Sequence, residues 1–330
     1  MTSAVTELSI RLERWYRGRR EFRQLSRADA VVASYGKAGR TWLRVMISRY
    51  CQLCFGISDD LLLEFDNFHQ LNPAAPKFFF THDNYLRSYT GHLDNKQDFY
   101  PYPTLFLARR PQDVAVSQFF QWQHRMRPRK KIINRYPPHN AEISIWDFVN
   151  HQHQGMPNII RYMNAWADDA KNIKSFSLTR YEDLRTDPHQ EMRKIVEFLN
   201  LELREKWIDE CVEFASLEKL RAKEANNHFS NSGKRMKAGD PNNPDSFKVR
   251  KAKVGGYRDY FDDAQLAELD LHVRSELNPL SAMLRLTRLR YDSHFDLPRN
   301  AVLDPCDYEN SFLSRASHLS SPSRAQIMGR

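Results

Sequence analysis

This chain of 330 residues has few cysteines and no long apolar run. Cys51 and Cys54 form a C-x-x-C, but no second pair stands at the spacing of a zinc site. We therefore expect core or helix-surface thiols rather than a metal or redox site. No stretch of about 18 apolar residues occurs, so no transmembrane helix is predicted.

The N-terminal residues 1–20 lack the apolar core of a secretion signal and are rich in arginine. The sequence therefore predicts a cytoplasmic location. Residues 11–17 leave an alternative open, because a short basic amphipathic helix can lie on a membrane surface.

The net charge of +9 is typical of proteins that bind nucleic acid, membrane surfaces or acidic ligands. The basic run at 125–131 keeps nucleic-acid binding open as an alternative, although no known nucleic-acid-binding motif is present. A solvated loop is the plainer interpretation of this run. A loop that borders a substrate site and attracts an anionic glycan or lipid headgroup is another.

A glycine-containing loop between a strand and a helix is the first sign of a ligand site. The apolar residues 30–33 predict a strand, S-Y-G-K-A-G-R-T-W follows at 34–42, and a helical pattern begins at Leu43. Backbone N–H groups, a helix N-terminus and the Lys37 ammonium together suit a phosphate. The loop is not a Walker A motif, because Lys37 precedes the second glycine. A turn that binds no ligand is the alternative.

A second apolar run, at 104–108, predicts a buried parallel strand that ends in two arginines. Pro111 then suits the first turn of a helix. Open α/β sheets bind ligands at the carboxyl ends of their strands, so Arg109 and Ser117 are candidate anion ligands. Because this strand ends in arginine rather than in a carboxylate for Mg²⁺, an ATP-dependent phosphotransferase is the less favoured alternative.

In these segments the chain resembles the sulfotransferases that use 3′-phosphoadenosine 5′-phosphosulfate (PAPS). The family's first loop, roughly T-Y-P-K-S-G-T-T-W, matches residues 34–42, and its R-x-x-x-D-V-A-V-S segment matches 109–117. Y-E-D-L followed by D-P occurs at 181–188, and R-K-A-K-V-G-G-Y-R at 250–258 resembles R-K-G-x-x-G-D-W-K.

The resemblance implies an α/β fold of three layers, with a mostly parallel central sheet between helices as in P-loop NTPases. It also implies the transfer of a sulfuryl group from PAPS to a hydroxyl or amine, with PAP as the desulfated product and without a metal. His82 follows a strand as the family's base does in K-T-H, and it is expected to be the general base. Lys37 and Ser117 are the other residues expected at the reaction. The expected PAPS ligands are Lys37, Ala38, Gly39, Arg40, Thr41, Trp42, Arg109, Ser117, Tyr181, Ser216, Arg250, Lys251 and Ala252.

Several positions depart from the family pattern. Phe80 stands where the family has a lysine, so one cation near the sulfuryl group is missing or comes from elsewhere. Arg40 replaces a threonine of the first loop, and Ala252 replaces a glycine. The family's short dimer motif has no match at 258–267, so no oligomeric state is predicted.

The motif spacing predicts an N-terminal helical extension at 1–29, a sulfotransferase domain at 30–290 and a poorly ordered tail at 291–330. Strands are predicted at 31–34, 78–81, 104–108 and 175–179, and helices at 41–54, 112–122, 157–170, 188–199 and 263–277.

The acceptor pocket is expected in four aromatic and basic loops, at 65–72, 84–102, 119–138 and 226–247. The last of these is either a lid that orders over PAPS and the acceptor or a plain surface loop. The acceptor is expected to be a small molecule, a carbohydrate or a lipid-linked group, with a slight preference for a sugar or glycolipid.

Overall fold

The computed structural model describes residues 2–230 and 253–278. Residues 231–252 and 279–330 lie outside the described part of the chain. The predictions that fall there are the PAPS ligands Arg250, Lys251 and Ala252, most of the expected lid and the poorly ordered tail.

Four parallel strands form the central sheet in the order β2-β1-β3-β4: β1 (Ala30–Ser34), β2 (Phe78–Thr81), β3 (Thr104–Ala108) and β4 (Phe176–Arg180). The two central strands, β1 and β3, are buried at every position. Parallel strands covered on both faces must be apolar almost throughout, which is why the runs at 30–33 and 104–108 predicted them. In the register, Ala33 pairs with Thr81 on one side and with Phe106 on the other.

Helices cover both faces of this sheet. They are α1 (Thr2–Leu25), α2 (Arg40–Phe55), α3 (Asn67–Leu71), α4 (Leu86–Thr90), α5 (Pro111–His124), α6 (Pro128–Ile133), α7 (Ile145–Val149), α8 (Met156–Asp169), α9 (Tyr181–Thr186), α10 (Pro188–Phe198), α11 (Glu205–Phe214), α12 (Leu217–Ala225) and α13 (Asp263–Glu276). The five helices expected from the sequence are α2, α5, α8, α10 and α13, each within two residues of its predicted ends.

Alternate residues of the central strands face two separate cores. Val32 and Leu105 pack with α2, α10 and α11, whereas Val31 and Phe106 pack with α5 and α8. The predicted three-layer fold is confirmed. Cys51 lies in the first of these cores, and burial raises the pKa of its thiol well above the ordinary value, as expected for a structural cysteine.

The N-terminal helix α1 packs against α4 and α6. Arg14 of α1 donates hydrogen bonds to the carbonyl oxygens of Asn84 at 2.9 Å and Ile133 at 3.1 Å. Residues 11–17, considered above for a membrane surface, are thus partly engaged in the fold. In the described part of the chain, no helix has the length and apolar character needed to cross a bilayer.

A buried ion pair joins two residues of the segment that follows β2, Asp83 and Lys96. The Lys96 Nζ atom is 2.6 Å from the Asp83 Oδ2 atom, and each side chain is only 4% exposed. The Lys96 ammonium also lies 5.4 Å from the ring centroid of Trp166. Because both charges are removed from water, each depends on the other for its stabilisation.

Asp83→Asn is expected to lower the free energy of unfolding by about 3–5 kcal/mol, because it leaves the Lys96 ammonium buried without a carboxylate. The backbone at position 83 has φ of 51°, which asparagine tolerates, so backbone strain does not confound the result. Asp83→Asn/Lys96→Met should recover most of the loss. Urea denaturation measures both variants, and a single variant as stable as the wild type would contradict the expectation.

Candidate active site

The loop between β1 and α2 has the geometry of an anion site. Lys37 and Gly39 have φ of 73° and 102°, and Gly39 caps the N-terminus of α2. A Cβ atom at position 39 would lie 2.5 Å from Cδ2 of Tyr181, so the ring of Tyr181 packs directly on the glycine. The first turn of α2 holds no acidic residue, which leaves the positive end of the helix dipole available to an anion.

A cavity of about 1050 Å³ opens at the carboxyl edge of the sheet. It brings together nine of the predicted site residues: Lys37, Gly39, Arg40, Thr41, Trp42, His82, Arg109, Ser117 and Tyr181. They come from the β1–α2 loop, α2, α5, α9 and the residues that follow β2 and β3. These residues lie close together because the parallel register aligns the ends of neighbouring strands.

Two predicted ligands do not line this cavity. The side chain of Ala38 is 1% exposed and packs in the core beside α2. The Ser216 hydroxyl accepts a hydrogen bond from the N–H of Lys219 at 3.4 Å, so it caps α12. Leu217 and Leu220, which follow Ser216 on α12, line the cavity instead.

An aromatic pair forms one wall. The rings of Trp42 and Tyr181 meet edge to face with centroids 5.8 Å apart, and the Trp42 indole donates to the carbonyl of Ala215 at 2.8 Å. The guanidinium of Arg109 lies 4.3 Å from the Tyr181 ring centroid, and that of Arg185 lies 5.3 Å from the Trp42 ring centroid. Fixed aromatic rings beside arginines suit a purine base that carries phosphates. Arg185 was not among the residues predicted from the sequence, because the Y-E-D-L motif ends one residue before it.

Arg109 is held by backbone carbonyls on two sides. Its Nη1 atom donates to Lys37 and its Nη2 atom donates to Lys253, both at 3.2 Å. Asp113 lies one helical turn further on, with its Oδ2 atom 3.7 Å from Nη2 of Arg109. Arg109 therefore connects the β1–α2 loop with the first described residue after the 231–252 segment.

Asp113 fixes the turn that follows this segment. Its Oδ2 atom accepts the N–H of Gly255 at 2.8 Å, and its Oδ1 atom accepts the N–H of Tyr257 at 3.1 Å. The carboxylate therefore ties the start of α5 to residues 255–257. The sequence motif contained this aspartate but gave no sign of its partners, which lie 142 and 144 residues away.

His82 has a defined tautomer. Its Nδ1 atom lies 2.8 Å from the carbonyl oxygen of Ser34, and a carbonyl only accepts, so Nδ1 carries the proton. The Nε2 lone pair then accepts from Nη2 of Arg40 at 2.7 Å. Burial and the positive charge of Arg40 lower the pKa of His82 well below its ordinary value. The imidazole is therefore neutral at pH 7, which a general base requires.

A cationic side chain packs on the ring of Phe80. The guanidinium of Arg44 lies 3.9 Å from the Phe80 ring centroid and donates to the carbonyl of Leu63 at 2.9 Å. Arg44 is only 4% exposed, yet it lines the cavity. A positive charge is thus present close to the position where the resembling family has its lysine.

Gly39→Ala should weaken the binding of PAP at least about tenfold, because the new Cβ must displace the Tyr181 ring and adopt an unfavourable backbone conformation. Calorimetry with PAP measures the effect. Gly56→Ala is the matched control, since Gly56 also has a positive φ at an end of α2 but has no neighbouring atom within 4 Å of a Cβ. Equal PAP affinity in both variants would show that contact with Tyr181 is unimportant.

Comparisons with known proteins identify the family of this chain. The family model for the sulfotransferase domain matches residues 103–281. Cytosolic sulfotransferase 10 of Arabidopsis thaliana is 23% identical over 279 residues, which cover 77% of this chain and 79% of the relative. Sulfotransferase 1B1 of Canis lupus familiaris is 23% identical over 279 residues, covering 78% of this chain and 86% of the relative.

Solved structures show the same fold. A mouse sulfotransferase in complex with PAP matches with a TM-score of 0.53 at 19% identity, covering 79% of this chain and 89% of that one. A retinol dehydratase in complex with retinol and PAP matches with a TM-score of 0.51 at 19% identity, covering 82% and 84%. Because the domain family model covers more than half of the 330 residues, the chain belongs to the family of PAPS-dependent, cytosolic-type sulfotransferases.

Proposed function

We propose that this protein binds PAPS along the β1–α2 loop and transfers its sulfuryl group to a hydroxyl or amine of a sugar or glycolipid acceptor in the cytoplasm. The observation that carries the proposal is the position of a neutral, tautomer-fixed His82 in the same cavity as Lys37. The PAP held by both solved relatives supports the donor, and the name of the Arabidopsis relative supports the location.

In this mechanism the acceptor hydroxyl gives its proton to Nε2 of His82, and its oxygen bonds to the sulfur of PAPS. The bond between that sulfur and the 5′-phosphate oxygen breaks, and the electron pair leaves with PAP. Lys37 and the N-terminus of α2 stabilise the charge that develops on the leaving oxygen. Base catalysis of this kind contributes about 10²–10⁴-fold to the rate.

The remaining predicted ligands hold the nucleotide. Arg109 and Ser117 bind the 3′-phosphate, with Ser117 facing the cavity from α5. The aromatic pair of Trp42 and Tyr181 packs on the adenine. Arg250, Lys251 and the backbone of Ala252 complete the 3′-phosphate site in this proposal.

The two arginines of α2 replace parts of the family pattern. Arg44, seated on Phe80, supplies the cation that a lysine gives in the resembling family. Without PAPS, the guanidinium of Arg40 donates a hydrogen bond to the Nε2 lone pair of His82. When PAPS binds, its phosphates attract this guanidinium away from His82. Donor binding thus frees the base, and the nucleotide is expected to bind before the acceptor.

The first experiment is a calorimetric titration with PAP in the absence of added metal, compared with ATP and Mg²⁺. We expect tight PAP binding and weak ATP binding, because cations match two separate phosphates and β3 is followed by two arginines rather than by a carboxylate for Mg²⁺. Arg109→Ala should weaken PAP at least about tenfold through loss of charge-assisted hydrogen bonds. A preference for ATP with Mg²⁺ would overturn the proposed function.

The second experiment follows the protonation of His82 by NMR, with His82→Ala used to assign its signals. We expect a pKa well below the ordinary histidine value in the wild type and a higher pKa in Arg40→Thr, because the variant loses a like charge beside the ring. The neutral base form should therefore persist to lower pH in the wild type than in the variant.

Glu21 requires a control in this titration. Burial and Asp83 raise the pKa of Glu21 to about 7, and the charge of Arg40 acts on the same carboxyl. Both NMR titrations are therefore repeated in a Glu21→Gln background. An unchanged His82 pKa in Arg40→Thr, in either background, would exclude Arg40 as the group that controls the base.

A further inference from the structure

A second set of charges lines the cavity, away from the residues assigned to PAPS. Five exposed or half-exposed cations contribute to the described lining there: Arg14, Arg87, Lys130, Arg135 and Arg161. The carboxylates in the same part are Asp94 and Asp83, and the latter is already paired with Lys96. This end of the cavity therefore carries an excess of positive charge.

Arg14 is the centre of this group because α1 holds it between two other segments. Its guanidinium donates to Asn84 at 2.9 Å and to the Ser88 hydroxyl at 3.2 Å, on either side of Arg87 in the chain. It also donates to the carbonyl of Ile133 at 3.1 Å, two residues before Arg135. Three arginines from different parts of the chain, Arg14, Arg87 and Arg135, thus border one concave wall, which we name the arginine cluster.

The arginine cluster is not neutralised within the described residues. No described carboxylate lies within ion-pair distance of any of the three guanidinium groups. Burial lowers the pKa of Arg14, and the like charges of Arg87 and Arg135 lower it further. The negative charge of Glu21 acts in the opposite direction and raises the pKa of Arg14. The pKa of Glu21 is itself raised to about 7, so this carboxyl is partly protonated at neutral pH.

The arginine cluster lies beside the proposed base and outside the nucleotide elements. Asn84, whose carbonyl holds Arg14, is two residues after His82. None of the three arginines belongs to the β1–α2 loop, to α2, to the β3–α5 connection, to α5 or to α9, which carry the described residues assigned to PAPS under the proposed function. A neutral phenol would gain little from three unneutralised guanidinium groups, whereas a phosphate or carboxylate would gain charge-assisted hydrogen bonds.

We propose that the acceptor carries an anionic group, best matched by a phosphate, which the arginine cluster binds while His82 accepts the proton of a nearby hydroxyl. This inference rests on the proposed function and narrows its acceptor to phosphorylated polyols or sugars, free or in a lipid headgroup. The protein sulfates a molecule that already bears a negatively charged group, at a hydroxyl near that group.

The test uses protein saturated with PAP, so that added anions cannot enter the donor site. Calorimetry compares glucose with glucose 6-phosphate and glycerol with glycerol 3-phosphate. Each phosphate-bearing probe should bind about tenfold or more tightly than its neutral partner, and the preference should shrink as salt rises. Vesicles of phosphatidylglycerol, compared with neutral galactolipid vesicles, decide whether the phosphate belongs to a lipid headgroup or to a soluble molecule.

Arg87→Ala/Arg135→Ala should abolish the preference for phosphate and leave PAP affinity unchanged. Arg19→Ala/Arg20→Ala is the charge-matched control, because these exposed arginines of α1 do not line the cavity, and it should keep the preference. Equal binding of charged and neutral probes, or an unchanged preference in Arg87→Ala/Arg135→Ala, would overturn the inference while the PAP titration still upheld the proposed function. Failure to bind PAP would overturn both.

Discussion

The site depends on one constraint, the parallel alignment of β1, β2 and β3. Because Ala33 is level with Thr81 and Phe106, the chain leaves all three strands at the same edge of the sheet. The phosphate loop, His82 and Arg109 are therefore neighbours although they are far apart in sequence. A shift of one residue in this register would move β-strand side chains to the opposite face and separate the base from the loop that holds the donor.

The cavity is rich in positive charge, and this charge is compensated to different extents at its two ends. Around the donor site the fold supplies acceptors for Arg109, whose guanidinium donates to the carbonyls of Lys37 and Lys253 and lies 3.7 Å from the Asp113 carboxylate. At the other end of the cavity Arg14 also has carbonyl acceptors, but none of the described carboxylates lies within ion-pair distance of the arginine cluster. Concentrating like charges in a concave site is unfavourable for the empty protein, and an anionic ligand relieves that cost when it binds.

The sequence was sufficient where the signal is local. Continuous apolar runs predicted β1 and β3, and the resemblance of the end of β2 to the family's K-T-H predicted His82 as the candidate base. It was insufficient where a side chain acts over distance, since nothing near Arg14 or Lys96 in sequence indicates their partners. Ser216 shows a competing local rule, because a serine before a helical run is also a good N-cap, and that is the role the structure gives it.

Arg14 contacts residues 70 and 119 positions further along the chain, whereas the donor loop is built from residues adjacent in sequence. The two halves of the cavity therefore differ in the sequence separation of the residues that form them. Substitutions in α4 and on the face of α1 that carries Arg14 alter the wall around the proposed acceptor site without touching the strand ends. A lineage can thus exchange one acceptor chemistry for another while its donor chemistry stays constant, through changes in the N-terminal helix and in the segments that it contacts.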